Sequence, residues 1–238
     1  MLNGYKLIAV CLTKIQDEVT YEFIDALYQT VKGSDYRLLL FNSFSDLYHQ
    51  NVYDEGAKSI YQLLNYDLVD AVIIKADTIN DHQVIRDLIA RAKERQIPVI
   101  LLNMKAEGCY SIVPSYENVF SQLIEHVIKV HHKRKLYFLS GSMGESNSML
   151  REKIFRETLR DCGIDPQTAK VAYGEYWYGP AERAVENWIQ SGDLPEAIIC
   201  ANDAMAVAAC KVLKRHQIRV PEDMIVTGFD GVPSYQFH

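Results

Sequence analysis

The sequence predicts an α/β protein of two lobes, each a parallel sheet flanked by helices, and three observations carry that prediction. Apolar runs of strand length alternate with stretches of helical spacing along the chain, the pattern of repeated βαβ units. At 238 residues the chain exceeds a typical single domain, so one large unit or two smaller lobes are the competing layouts; two lobes is the one adopted. Residues 195–230 read strand, helix, strand, with polar residues at both strand exits: Asn202-Asp203 after the first and Asp230 after the second. That is the edge at which open α/β sheets bind ligands.

Taken in order, strands are predicted over residues 5–12, 36–42, 70–75, 98–103, 135–140, 170–174, 197–201 and 224–229, each short and β-rich. Helices are predicted over 18–32, 52–65, 81–96, 117–131, 148–162, 180–191 and 203–216. Ile85, Leu88, Ile89 and Ala92 form one apolar helical face, and Leu123, Ile124, Val127 and Ile128 form another; both need only packing onto a sheet. Asp17 and Glu18 suit a helix start, and Gly163-Ile164-Asp165-Pro166 is a helix stop. The composition breaks at Lys105-Ala106-Glu107-Gly108-Cys109, read as the first crossing between lobes. The expected division is therefore 1–108, 109–230 and a return crossing at 231–238, the first lobe being incomplete without residues beyond 238.

Composition narrows the function classes. Hydrophobic residues at 48% and charged residues at 24% are globular values. With a net charge of −6 and no long Lys/Arg block, this segment is not expected to grip DNA itself. His131-His132-Lys133-Arg134-Lys135 reads as a solvated turn. The cysteines Cys11, Cys109, Cys162, Cys200 and Cys210 lack a C-x-x-C pair, and their odd number suits a reducing compartment and buried thiols. No secretory leader and no apolar run of membrane-spanning length is visible, so the expected location is the cytoplasm.

The stretch that joins the Asn202-Asp203 helix entry, the apolar helix 204–213, the turn Val220-Pro221-Glu222-Asp223 and the exit Gly228-Phe229-Asp230 resembles the core domain of LacI/GalR-type transcription regulators. It is equally similar to their relatives, the sugar-binding periplasmic proteins of the ribose type. Arg151-x-x-x-Phe155-Arg156-x-x-Leu159 is similar to the family's arginine-containing helix opening. The likeness covers the whole chain and is sharpest from Arg151 onward. It implies two Rossmann-like lobes of the type I periplasmic-binding-protein-like architecture and a non-catalytic sensor that closes on a small-molecule, sugar-like effector. It further implies a homodimer that meets DNA through a headpiece outside this segment.

The resemblance makes Arg151 the sugar-clamping arginine, against the alternative of an exposed helix residue. Asp230 offers an acceptor for paired hydroxyls and Asn202 both donor and acceptor, while Asp203 is assigned to capping the following helix. Charge-assisted hydrogen bonds of about 1.5–3 kcal/mol each, three together, supply much of the roughly 8 kcal/mol behind micromolar affinity. Asn103 stands where the family often has an acid, and the loop Lys14-Ile15-Gln16-Asp17-Glu18-Val19-Thr20-Tyr21 departs from the family's Asn-Pro and aromatics, so the usual stacking platform is missing and Tyr21 is one candidate to replace it; Asp17 is a candidate contact on the same side as Asn103. Tyr176 and Trp177, beside Tyr178, are either a stacking platform for a sugar face or packing between lobes.

Other chemistry is thinly supported. Ser140-Gly141-Ser142-Met143-Gly144 lacks the spacing of a nucleophile elbow or a phosphate loop and reads as a flexible turn. No metal-ligand spacing, cofactor motif or nucleophile with its base is visible, so neither an enzyme nor a metalloprotein is expected. Two alternatives to a transcription regulator remain: an amino-terminal sensor of a signalling protein such as a diguanylate cyclase, and the solute-binding protein of a transporter.

Overall fold

A computed structural model describes residues 4–45, 53–79 and 81–232, and its contacts divide the chain into two compact units, the first ending at Pro114 and the second beginning at Ser115.

The first unit runs β1 (Lys6–Thr13), α1 (Glu18–Val31), β2 (Tyr36–Ser43), α2 (Asp54–Lys58) with a 3-10 turn (Ser59–Leu63), β3 (Ala71–Lys75), α3 (Ala76–Ile79), α4 (His82–Glu94), β4 (Val99–Leu102) and β5 (Tyr110–Ile112). Its strands lie parallel in the order β2-β1-β3-β4-β5. Alternation along β1 decides what each face buries. Leu7, Ala9 and Cys11 share a cluster with Ile85, Leu88, Ile89 and Ala92 of α4, whereas Val10 and Leu12 pack with Ile24 of α1. A strand covered on both sides reads as a continuous apolar run, which is why β1 was recognisable.

The second unit runs α5 (Glu117–Lys129), β6 (Leu136–Ser140), α6 (Ser146–Asp161), a 3-10 turn (Pro166–Thr168), β7 (Val171–Tyr173), α7 (Tyr178–Gln190), β8 (Ala197–Cys200), α8 (Asp203–Arg215) and β9 (Ile225–Thr227). These strands are also parallel, in the order β7-β6-β8-β9. Helices α5 and α6 pack together, as do α7 and α8. Phe138 of β6 stacks on Phe155 of α6 at 5.1 Å between ring centroids and meets Phe120 of α5 at 5.9 Å. All three are fully buried, and they anchor these helices to the sheet.

Three expectations change. The division falls after Pro114 rather than after residue 108, because β5 pairs in register with β4 and so belongs to the first sheet. The helix expected over 52–65 is a short helix followed by a 3-10 turn, and Val52 lies outside the described residues, as does most of the expected return crossing 231–238. Of the five cysteines, all free, Cys11 and Cys200 are buried and the other three are half-buried.

Candidate functional site

In the second sheet, β7 lies on one side of β6 and β8 on the other, so the strand order reverses at the carboxyl ends of β6 and β8. Ligands of open α/β sheets sit at such a reversal. Arg151 spans it: carried on α6, which follows β6, it donates from Nη1 to the carbonyl of Ala201 just beyond β8. Its guanidinium carbon lies 4.8 Å from the ring centre of Phe229, 5.0 Å from that of Tyr116 and 5.9 Å from that of Tyr176. These rings favour the cation and hold it away from water. Arg151 Nε is buried with no partner. Among the described residues two other buried side-chain atoms share that condition, Ser140 Oγ at the end of β6 and Thr227 Oγ1 at the end of β9, both at this same edge.

The cap of α8, expected to be Asp203, is Asn202. Asn202 is the cap of α8: its Oδ1 accepts from the Met205 N–H at 3.0 Å, and its Nδ2 donates to the Tyr176 carbonyl at 3.2 Å. The residue in extended conformation before the helix is the one whose side chain reaches the open N–H groups, and here that is Asn202. Asp203 Oδ2 instead accepts from the Val232 N–H at 2.8 Å, tying α8 to the segment after β9. Gly228 makes room for this, since a Cβ there would lie 2.1 Å from Asp203 Oδ1.

Asp230 keeps solvent contact by surface area, yet protein atoms crowded round its carboxyl raise its pKa above the ordinary aspartate value. Arg151 opposes that rise by charge, and Asp203 adds to it.

The loop between β6 and α6, expected to be a flexible turn, carries organising residues that sequence reasoning missed. Glu145 caps α6: Oε1 accepts from the Asn147 N–H at 2.9 Å and Oε2 from the Ser148 N–H at 2.8 Å. Burial works to raise its pKa, but the donors from Asn147, Ser148 and Tyr176 outweigh it and hold the carboxylate below the ordinary glutamate value. Tyr116, whose hydroxyl donates to Asn147 Oδ1 at 3.0 Å, and Phe229 were also missed as neighbours of Arg151. An aromatic outside an apolar stripe gives no sequence signal of the cation it will cover.

Tyr176 is half-buried and joins the Arg151 surroundings, whereas Trp177 is 56% exposed with its ring against Tyr178 at 5.5 Å. Asn103 and Asp17 belong to the first unit. Asn103 follows β4 at φ +61, a left-handed conformation that asparagine tolerates, and its N–H donates to the Ile112 carbonyl at 2.9 Å. Asp17 stands before α1, where its carbonyl accepts from the Tyr21 N–H at 2.8 Å. Lys75, overlooked in the sequence, ends β3 almost fully buried and pairs with Asp77 at 2.6 Å.

Comparisons with known proteins bear on the family and the fold. Residues 124–237 match the family of periplasmic binding protein-like domains. The repressor PurR of Photobacterium profundum is 26% identical over 97% of this chain and 66% of its own length. The repressor CytR of Escherichia coli is 23% identical over 99% of this chain and 66% of its own length. The chain is similar to the core domain of LacI/GalR-type regulators. The chain spans about two thirds of the length of the curated relatives it matches. Its fold is that of a dimeric Lac repressor with a C-terminal deletion, at a TM-score of 0.76 and 20% identity over 96% of this chain and 79% of that one. A periplasmic solute-binding protein of an ABC transporter from Actinobacillus succinogenes 130z, with bound D-allose, has the same fold at a TM-score of 0.76 and 16% identity over 97% of this chain and 80% of that one. Among the described residues no cluster of side chains suits a metal ion, and no helix is long and apolar enough to cross a membrane.

Proposed function

We propose that this domain is the non-catalytic effector sensor of a transcription regulator, and that the carboxyl edge of its second sheet binds a small polyhydroxylated molecule. The observation that carries the reading is Arg151, a guanidinium set among three rings at the strand-order reversal with its buried Nε–H unpartnered. Leaving such a donor unpaired costs about 1–3 kcal/mol, so a site that keeps one gains when an acceptor arrives. Asp230 supplies the complementary acceptor for hydroxyl groups, and Asn202, its amide engaged by Met205 and Tyr176, sets the end of α8. Tyr176 and Trp177, in the same unit, complete the proposed contact set.

The named relatives are transcriptional repressors, which supports regulation of transcription in the cytoplasm through another domain, and the dimeric Lac repressor of the same fold supports a homodimer. Sugar-like effectors are supported by the D-allose of the Actinobacillus protein and by the sucrose bound to a LacI-family CcpA regulator from Weissella paramesenteroides, a structural neighbour at a TM-score of 0.75 and 19% identity over 93% of this chain and 78% of that one.

Isothermal titration of the purified domain with neutral saccharides, D-allose and sucrose among them, tests the reading. Saturable binding is expected, weakened about tenfold to a hundredfold in Arg151→Ala and in Asp230→Ala, the loss that one charge-assisted hydrogen bond represents. Affinity unchanged in both variants would place the site elsewhere.

A further inference from the structure

Tyr176 occupies a strained position held from three sides. It and Glu175 are consecutive non-glycine residues at φ +55 and +53, a conformation that costs about 1–3 kcal/mol per residue and persists only when neighbours impose it. The Asn202 amide holds the Tyr176 carbonyl at 3.2 Å. At the far end of the side chain, the hydroxyl lies 2.9 Å from Ser148 Oγ and donates to Glu145 Oε2 at 3.1 Å, while Ser148 Oγ donates to the same oxygen at 3.0 Å. Gly141 leaves the passage for the ring, since a Cβ there would sit 2.0 Å from Tyr176 Cζ and 2.4 Å from Ser148 Oγ. Fixed at both ends, the ring lies beside the Arg151 guanidinium.

We propose that Glu145 and Ser148 position the Tyr176 ring against Arg151 and so orient the guanidinium before any effector arrives. Glu145 is thus a positioning residue, and its relevance to function rests on the reading of Arg151 as the effector-binding cation. Orientation in advance removes an ordering cost that binding would otherwise carry. It also accounts for a glutamate rather than the commoner serine, threonine or aspartate at the cap of α6: the longer side chain satisfies the helix N–H groups and still reaches the tyrosine hydroxyl.

The test needs no effector. In nitrogen-15-labelled protein, the Arg151 Nε–H resonance is assigned by its disappearance in Arg151→Lys. Tyr176→Phe, Glu145→Gln and Ser148→Ala are each expected to move it toward the position of a free arginine and to speed its exchange with water. Lys153→Ala, on the exposed face of α6, is expected to leave it in place. Far-ultraviolet circular dichroism identifies the variants that remain folded, and Ser148→Ala is the mildest should a larger change unfold the chain. An Arg151 resonance unmoved in the folded variants would overturn the proposal and leave the binding reading intact. Unchanged saccharide affinity in Arg151→Ala would instead remove the binding reading while the tether still held.

Discussion

At the scale of single residues, Asp230 and Arg151 form the pair on which the proposed effector binding turns. A carboxyl whose folded pKa is raised favours the folded state below its unfolded pKa, and that contribution disappears as pH rises through the folded value. In the proposed site binding runs the other way, because the carboxylate accepts a hydroxyl hydrogen bond more strongly than the protonated acid does. Affinity for a saccharide is therefore expected to fall as pH drops through the raised Asp230 value. Calorimetric titrations from neutral pH downward should find that fall in the parent domain, beginning above the ordinary aspartate range, and a flatter profile in Asp230→Asn. The same slope in both would assign the dependence to another group.

At the scale of elements, the helix starts do the organising. Asn202 closes α8 and Glu145 closes α6, and each side chain reaches Tyr176 as well as backbone N–H groups. Asn202→Ala is expected to destabilise the domain by about 0.5–2 kcal/mol, the range for losing a helix cap, visible as a lower urea midpoint with unchanged slope. Asp203→Ala leaves the cap in place and frees the Val232 N–H, so retention of the α8 N-terminal amides in hydrogen exchange separates the two roles. If Asp203→Ala exposed those amides and Asn202→Ala did not, the assignment of the cap would be reversed.

At the scale of the whole molecule, each unit has its own sheet and its own core, and in the second unit the rings of Phe120, Phe138 and Phe155 lie at the centre. Phe138→Ala is expected to cost about 3–5 kcal/mol, a cavity too large for its neighbours to fill. Chemical denaturation of the domain measures it. A loss below about 1 kcal/mol would mean that the β6 face is loosely packed and that the edge residues it carries are not rigidly placed.

How much of this was legible beforehand depends on whether the signal is local. Strands such as β1, β3, β6 and β8, and the apolar faces of α4 and α5, announce themselves through the period of their side chains, because burial repeats every two or every 3.6 residues. Asp230 and the Asn202-Asp203 pair stood out because each follows a strand-length apolar run, whereas Arg151 stood out through the family resemblance of its helix. Strand β5 has three exposed residues and no alternation, so only its pairing with β4 reveals it. Which of Asn202 and Asp203 caps, which rings surround Arg151, and why a glutamate precedes α6 depend on atoms brought together from residues 116, 145, 176, 202 and 229. The sequence alone therefore determined the class of fold and the edge at which polar groups gather, since those follow from local periodicity. Tertiary structure decided the partners of those groups, because hydrogen bonds and ring contacts are set by distance in space, and distance along the chain does not predict it.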